Sequence, residues 1–359
     1  MSLRHLELTD FRTFGAALLS PELEGTTAIT GANGTGKTSV LEAVAYLGTR
    51  RSFRGAPPEA MVRTGAESAI VRASFDTSET TVSVDAEIRA EGRGRTRVNG
   101  KDARGRADLA AAAPCTIFSP DDLALISGGP KGRRELLDDT LALLDAEGAR
   151  AADETERVLR QRAALLRQSG GRANADVTTT LEVWDQRLAD ASKVLVAARE
   201  RLVGDLEPLV GSAYSRLAGA PGDAMVEQRY QRSWDGDLFD ALAASRTDDL
   251  RRGVNTVGPH RDDLVIVLDG REARTHASQG EQRCLALALR LGIHELVRAR
   301  TPVAPTLLLD DVFSELDPVR SRALVAELPT GQSILTTASP LPEGIAVARV
   351  VPVDTLGRG

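Results

Sequence analysis

The sequence predicts an α/β fold in which both ends of the chain build one domain and a helical segment forms a second. Three observations predict this architecture. A strand, a glycine-rich turn and a helix follow one another over residues 26–47. Helical periodicity with little proline fills 133–217, and strand patterns return after about residue 255. We therefore expect an α/β domain from 1–118 and 255–359 and a helical domain from 119–254.

Composition excludes several classes of protein. The 359 residues are 42% hydrophobic and 27% charged, so a sizeable buried core is available. No apolar window approaches the roughly 18 residues that a membrane span needs, and the first residues carry acids rather than an apolar export signal. We expect a cytoplasmic protein without a membrane partner. Cys115 and Cys284 form no CxxC pair, which excludes a disulfide scaffold, a zinc ribbon and a redox dithiol.

The N-terminal third is predicted to consist of strands around one helix. The spacing of Val40, Leu41, Val44 and Leu47 predicts a helix over 38–47. Asn99-Gly100 is typical of a type I′ hairpin turn. We expect strands at 3–9, 27–30, 70–75, 82–84, 95–98 and 115–118.

The middle of the chain carries a helical seam. Apolar residues recur at alternating spacings of three and four, at Leu181, Trp184, Leu188, Ala191, Leu195, Ala198 and Leu202. Thr179 and Glu182 predict a capping box at the start of this helix. An earlier helical stretch is expected to pack against it after a reversal at 168–175. We interpret the pair as an antiparallel helical arm. Two ordinary helices of a helical subdomain fit equally well, because three heptads are few.

After the arm, α/β patterns return. We expect a strand at 264–268 with Asp269-Gly270 as its turn, a long helix at 279–298, and buried strands at 306–309 and 334–337.

A phosphate-binding loop is the strongest motif. Residues 31–38 match G-x-x-x-x-G-K-[ST] at every fixed position, with a strand before and a helix after. The glycines let backbone N–H groups surround phosphate oxygens, and the helix N-terminus adds partial positive charge. Lys37 can then contact the β- and γ-phosphates, and Thr38 can bind Mg²⁺.

An acidic partner for this loop follows a later strand. Asp310 and Asp311 come directly after Leu307–Leu309, where the carboxyl edge of a sheet is expected. Asp310 would hold Mg²⁺ through water, and Asp311 would polarise the attacking water. A turn or helix-cap acid after a core strand is the alternative.

A second candidate phosphate site opens the long helix. Ser278 is a good N-cap, and Gly280 follows it at an exposed helix start. One chain does not need two sites for one γ-phosphate, so this site makes sense if it faces the nucleotide of another subunit. The alternative is a plain capped helix.

These segments resemble the ABC-type ATPase heads of SMC, Rad50 and RecF proteins. The resemblance lies in a Walker A motif at 31–38, a signature motif at 278–282, a Walker B motif at 306–311 and a D-loop at 314–317. The finer resemblance is to the RecF family of bacterial recombination mediators and runs through nearly the whole chain. It rests on 31–47 (GANGTGKTSVLEAVAYL), 51–54, 118–123, 133–138, 258–263, 277–283 and 307–317 (LLLDDVFSELD).

The resemblance implies an ABC-type P-loop ATPase head with mixed sheets and an inserted α-helical domain. It implies ATP and Mg²⁺ as cofactors, a head-to-head homodimer with ATP between the heads, and weak DNA-stimulated hydrolysis. It also implies binding to double-stranded, gapped or junction DNA with RecR. Loading of the RecA recombinase with RecO would follow, in the gap repair, replication and SOS response of the cell.

Residue roles are carried over from the same resemblance. Nucleotide contacts fall on Gly31, Ala32, Asn33, Gly34, Thr35, Gly36, Lys37, Thr38 and Ser39, and metal contacts on Thr38 and Asp310. Lys37, Asp310 and Asp311 act in cis. The groups that act in trans are Ser278, Gly280 and Gln282, with Asp317 at the dimer contact.

Two positions depart from the wider ABC pattern. Asp311 stands where that pattern has glutamate, and its carboxylate reaches one methylene less far, which suits a slow switch better than a fast pump. No histidine follows the strand at 334–337, and we expect Thr337 in that switch position.

Two other classes of protein are less consistent with the chain. The motor of a membrane transporter expects a compact head, yet about 240 residues separate Lys37 from Ser278. A full SMC or Rad50 head expects a coiled coil of hundreds of residues, for which this chain has no room.

Two further features stay open. His260 suggests a metal or general-base site, but it has no ligand companions at useful spacing, so a polar residue of a structural loop is favoured. The stretch 89–106 has a net charge of +5, and Arg50, Arg51 and Arg54 form a second basic cluster. Such runs can neutralise DNA phosphates, although most are simply solvated faces.

Overall fold

The computed structural model describes residues 1–77, 79–218, 225–314, 316–328 and 331–357. Its strands are β1 (Ser2–Phe11), β2 (Phe14–Leu19), β3 (Gly25–Thr30), β4 (Ser68–Asp76), β5 (Thr81–Arg89), β6 (Arg95–Val98), β7 (Lys101–Asp102), β8 (Cys115–Phe118), β9 (Val226–Gln231), β10 (Asp263–Leu268), β11 (Arg271–Glu272), β12 (Thr306–Asp310), β13 (Gln332–Thr337) and β14 (Val347–Pro352). Its helices are α1 (Lys37–Thr49), α2 (Pro58–Met61), α3 (Arg106–Ala112), α4 (Leu123–Ser127), α5 (Pro130–Leu144), α6 (Ala146–Gln168), α7 (Ala175–Ala218), α8 (Leu238–Arg252), α9 (Ala273–His276), α10 (Gln279–Arg300) and α11 (Pro318–Glu327).

A parallel sheet carries the loop and the acidic strand together. Its order is β14-β3-β13-β12-β8 among the described strands. Every residue of β12 is buried, as expected for a strand covered on both faces. The register places Thr30 of β3 beside Thr337 of β13, and Thr336 beside Asp310 of β12. The carboxyl ends of these strands therefore meet at one edge.

An antiparallel sheet lies in the same part of the chain, in the order β2-β1-β4-β5-β6-β7. Along β4, buried and less buried side chains alternate, so one face of the strand packs against the core. Asn99 and Gly100 have φ values of +49° and +76° between β6 and β7, which confirms the predicted hairpin turn.

The chain forms two compact units over the described residues. The first comprises Met1–Leu123, Leu209–Ala224 and Ser278–Gly359, and the second Ala124–Pro208 and Met225–Ala277. These boundaries differ from the expected ones, because the strand expected at 264–268 pairs with β9 in the second unit. The sequence analysis missed β9, whose residues are mostly polar and of which only Val226 and Gln228 are buried.

Two long helices, α6 and α7, dominate the second unit. They run antiparallel, since Val158 packs with Leu188 and Gly148 lies against Ala198. The predicted capping box was wrong, because α7 begins at Ala175 and the Thr179 hydroxyl donates to the Ala175 carbonyl inside the helix.

The fold class is confirmed, as an α/β head with an inserted helical unit. None of the described helices is long and apolar enough to cross a membrane.

A buried ionic network joins the helices of the second unit. The Arg162 side chain is fully buried and donates to Asp185 (2.7 Å), Asp249 (2.5 Å) and Asn255 (2.8 Å). Arg246 donates to the second oxygen of Asp185 at 2.7 Å. The network therefore ties α6 to α7, α8 and the segment that follows α8. Removing Arg162 would take away the cation that the buried Asp249 pairs with and would leave Asp185 with Arg246 alone.

Replacing that cation is predicted to destabilise the protein strongly. Arg162→Met should lower the free energy of unfolding by about 3–5 kcal/mol, because Asp249 loses its cationic partner and Asp185 keeps only Arg246. Urea unfolding, monitored by circular dichroism, measures the change. Arg160→Met on the same helix is the control, since Arg160 is exposed and pairs only with Glu156 in the described contacts; its effect should be small. Equal effects of the two substitutions would contradict a structural role of the network.

A buried histidine predicts acid sensitivity of the first unit. Burial lowers the pKa of His294 from 6.5 to about 4, with the charge of Arg298 adding to the effect. The folded state thus binds this proton less readily than the unfolded chain. The contribution of the buried neutral His294 to the free energy of unfolding is fully present above pH 6.5. It is lost as the pH falls from 6.5 through about 4, at about 1.4 kcal/mol per pH unit. Thermal melts of His294→Gln should depend less on pH in this window, whereas the exposed His276→Gln control should follow the wild type.

Candidate functional site

The phosphate loop has the backbone conformation that its glycines allow. It lies between the end of β3 and the start of α1. Gly34 and Gly36 have left-handed φ values of +78° and +99°, which other residues adopt only with strain. A Cβ atom at Gly36 would stand 2.8 Å from the Thr13 hydroxyl and 2.9 Å from the Phe14 ring, whereas one at Gly34 would meet nothing within 4 Å. Gly36 is thus required for packing as well as for backbone conformation.

The side chains of Lys37 and Thr38 contact different parts of the site. The Lys37 side chain is buried, and its ammonium donates to the carbonyl oxygens of Gly31 and Ala32, both at 2.9 Å. The Thr38 hydroxyl donates to Asp310 Oδ1 at 2.8 Å. The tip from Ala32 to Gly34 is exposed, while Ser39 is buried within α1. The loop therefore offers backbone N–H groups at its tip and a cation at its base.

Asp310 is a buried carboxylate at the end of β12. Its Oδ1 accepts hydrogen bonds from Thr38 (2.8 Å) and from Thr336 (2.7 Å). Burial raises the pKa of Asp310, and the hydrogen bonds from Thr336 and Thr38 oppose that effect. The charge of Asp311 raises the pKa further, and the charge of Arg54 lowers it. The pKa of Asp310 is raised overall, because the two hydroxyl groups and the nearby arginine offset only part of the effect of burial.

Asp311 adopts a strained backbone conformation beside it. Its φ is +46°, in the left-handed region. Its N–H points toward the carbonyl and the hydroxyl oxygens of Thr336, each at 3.1 Å. The Asp311 Oδ1 atom is buried and accepts no hydrogen bond from the described residues. This oxygen is therefore available to a hydrogen-bond donor.

The hydroxyl that contacts the Asp310 carboxylate and the Asp311 backbone N–H belongs to Thr336 and not to Thr337. The sequence analysis expected Thr337 in the switch position, but its hydroxyl donates to the Ser339 carbonyl at 2.9 Å. Successive residues of a strand point to opposite faces of the sheet, so one residue of register decides which threonine lies on the same face as Asp310.

Ser278 caps α10 as predicted. Its side chain accepts from the Glu281 N–H at 3.4 Å, and the Glu281 carboxylate accepts from the Ser278 N–H at 2.7 Å. A Cβ atom at Gly280 would stand 3.3 Å from the Arg320 guanidinium. Gln282 is buried one turn into the helix. Among the described residues, Ser278 therefore contacts the first turn of α10, and Gly280 lies against Arg320 of α11.

The predicted D-loop ends at Asp317, which is the N-cap of α11. Asp317 caps this helix by accepting from the N–H groups of Val319 (3.0 Å) and Arg320 (2.9 Å), and it pairs with the Arg320 guanidinium at 3.1 Å. Asp317 is exposed. Glu315, in the middle of the predicted D-loop, lies outside the described residues.

A second buried carboxylate, Glu42, was missed by the sequence analysis. It is fully buried on α1 and accepts two hydrogen bonds from Arg12, at 2.7 and 2.6 Å, and one from the Ser52 hydroxyl. Ser52 also accepts from the Arg54 N–H at 3.2 Å. Glu42 therefore links the phosphate-loop helix to the β1–β2 turn and to the loop that carries Arg54. An acid within the apolar stretch after Lys37 was the signal that could have found it.

The candidate DNA surfaces are partly neutralised by neighbouring acids. Arg95 and Arg97 both lie 3.5 Å from Asp102, and Arg89 lies 2.8 Å from Glu87. Arg54, which belongs to the second predicted basic cluster, lies close enough to Asp310 to lower the pKa of that carboxyl.

His260 faces the Asn255 carbonyl at 3.1 Å, and burial lowers the pKa of His260 to about 4. The described residues contain no group of three potential metal ligands.

The chain is similar to known proteins over most of its length. The chain matches the family RecF/RecN/SMC N terminal domain over residues 2–338. A DNA replication and repair protein RecF from Beutenbergia cavernae is 40% identical over 391 aligned residues, which cover 99% of this chain and 96% of the relative. The protein of that name from Acidothermus cellulolyticus is 40% identical and covers 94% of both chains. A solved structure of the recombination mediator protein RecF with ATP, in the RecFOR pathway, matches with a TM-score of 0.84 at 27% identity, over 94% of this chain and 92% of the other.

The two loop glycines give a matched test of the loop geometry. Gly34→Ala should cost about 1 kcal/mol, from backbone strain alone. Gly36→Ala should cost more, because its added methyl group also overlaps Thr13 and Phe14. Thermal unfolding of both variants measures the difference. A Gly36→Ala variant no less stable than Gly34→Ala would show that the loop does not pack as described.

Proposed function

The chain belongs to the RecF/RecN/SMC N-terminal domain family of ABC-type ATPase heads, and from this premise we propose that it is an ATP-switched DNA-binding protein of recombinational gap repair. The observation that carries the proposal is the hydrogen bond between Thr38 and Asp310. These residues lie 272 positions apart, yet the sheet brings the phosphate loop and the acidic strand together at one edge.

The residues at this edge suit ATP with Mg²⁺. Hydroxyl and carboxylate oxygens are the ligands that Mg²⁺ prefers, and Thr38 and Asp310 offer them 2.8 Å apart. The ion, when bound, would neutralise charge on the β- and γ-phosphates. Residues 31–39 would hold the phosphates through backbone N–H groups, with Lys37 as the cation. Asp311 would orient the attacking water through its free Oδ1.

A second protomer would complete the site. Ser278, Gly280 and Gln282 would meet the nucleotide of a partner head, and Asp317 would lie at the dimer contact. The exposure of Ser278 at the N-terminus of the 22-residue helix α10 supports this arrangement, since helix N-termini bind phosphate. ATP hydrolysis would release the dimer. Hydrolysis would be slow, because the Asp311 carboxylate is shorter than that of glutamate and favours a switch over a fast motor.

The partners follow from the relatives. The solved RecF–ATP structure is described as that of a recombination mediator in the RecFOR pathway. By analogy this chain would act in the cytoplasm, bind double-stranded, gapped or junction DNA with RecR and RecO, and help load RecA. Its ATPase would be weak and stimulated by DNA. This function would belong to DNA replication, repair and the SOS response.

Light scattering tests the dimer mechanism. The mass should be that of a monomer without nucleotide or with ADP, and that of a dimer with a non-hydrolysable ATP analogue and Mg²⁺. Ser278→Arg should bind the nucleotide but remain monomeric, because a bulky cation replaces the small cap. Lys37→Ala should bind ATP roughly 10- to 100-fold more weakly, since charge-assisted contacts to the phosphates are lost.

Three outcomes would count against the proposal. Absence of ATP binding by the wild type would overturn the nucleotide site. A monomer with ATP bound would overturn the trans role of Ser278. Equal binding of a gapped duplex with and without the ATP analogue, at a fixed salt concentration, would overturn the switch.

A further inference from the structure

Thr336 is placed where it contacts both acidic residues of the site. It is the fifth residue of β13 and is fully buried. Parallel pairing sets it beside Asp310. Its hydroxyl lies 2.7 Å from Asp310 Oδ1 and 3.1 Å from the Asp311 nitrogen.

The polarity of these contacts is unambiguous. The Thr336 hydroxyl donates its proton to Asp310 Oδ1, a carboxylate oxygen that accepts. A backbone N–H donates only, so the hydroxyl oxygen accepts from Asp311. The Thr336 carbonyl lies 3.1 Å from the same N–H. One threonine therefore supplies a donor to one acid and two acceptors to the next.

These contacts hold two groups in demanding positions. Asp311 keeps a φ of +46°, which costs free energy for any residue other than glycine. Asp310 accepts from Thr336 and Thr38 at the same oxygen, which fixes the rotation of its carboxylate. Asp311 Oδ1 stays buried with no donor from the described residues.

We propose that Thr336 is a positioning residue for ATP hydrolysis, a proposal that rests on the function proposed above. Its hydroxyl holds the Asp310 carboxylate, which would bind Mg²⁺, and the backbone of Asp311, whose carboxylate would orient the attacking water. Losing the hydroxyl should therefore affect hydrolysis and magnesium response far more than nucleotide binding. The Lys37 cation and the loop N–H groups make no use of it.

Four proteins test this role. Thr336→Val keeps the shape and removes the hydroxyl, whereas Thr336→Ser keeps the hydroxyl and removes a methyl group. Thr337→Val is the matched control, because Thr337 is buried on the same strand and its hydroxyl donates to Ser339. Each is compared with the wild type for ATP affinity, for the hydrolysis rate at saturating ATP, and for the rise in melting temperature that ADP causes with and without Mg²⁺.

We expect a split between binding and hydrolysis. Thr336→Val should keep the ATP affinity measured without Mg²⁺. It should lose the further rise in melting temperature that Mg²⁺ gives to the ADP-bound protein, and it should hydrolyse ATP roughly 10- to 100-fold more slowly. Thr336→Ser should recover most of the rate. Thr337→Val should resemble the wild type. Should Thr336→Val fail to fold, Thr336→Ala and Thr337→Ala make the same comparison.

Each other result overturns a defined claim. Wild-type rates and magnesium response in Thr336→Val would reduce Thr336 to a packing residue. An equal or larger loss in Thr337→Val would return the role to Thr337 or to the strand as a whole. A wild type that binds no ATP overturns the proposed function, and this inference with it, whereas an active wild type with an unaffected Thr336→Val overturns this inference alone.

Discussion

The buried carboxylate of Asp310 constrains the whole first unit. A carboxylate removed from water must find compensating donors, and Asp310 finds them in Thr38 and Thr336. These two hydroxyls come from the phosphate-loop helix and from the neighbouring strand. The carboxylate can therefore be accommodated only when β3, β12 and β13 are paired in the correct register, with α1 starting at their common edge. The register that forms this parallel sheet also brings the residues of the candidate site together.

Glu42, on α1, is a second buried carboxylate that needs compensating donors. Its carboxylate is compensated by Arg12 and by Ser52, which lie before and after α1 in the chain. Through Ser52 it also fixes the turn that carries Arg54 toward Asp310. Two buried acids, Glu42 and Asp310, therefore tie α1, the helix that follows the loop, to different segments of the chain. Such fully satisfied polar clusters specify one arrangement where apolar packing would tolerate several.

The second unit uses ionic groups for a different purpose. Arg162 lies among Asp185, Asp249 and Asn255 at the junction of three helices, and no reacting group is involved. Long helices with a seam of leucine and alanine can slide past one another by a turn at little cost in apolar burial. A buried charge cluster removes that freedom, because any shift would leave an unpaired charge in the interior. Its position along α6 and α7 therefore sets their register.

The sequence by itself determined which local helices, strands and turns form and which functional side chains they carry. The glycine pattern of 31–38, the apolar strand that ends at Asp310, the capped helix at Ser278 and the Asn99-Gly100 turn are all specified by neighbours within a few residues. Tertiary structure decided the rest: that Thr336 and not Thr337 meets Asp310, that Glu42 joins Arg12 and Ser52, and that β10 pairs with β9. The physical reason is range. Periodicity and capping act within a turn or a strand, whereas register and compensation of buried charge depend on partners that lie tens to hundreds of residues away.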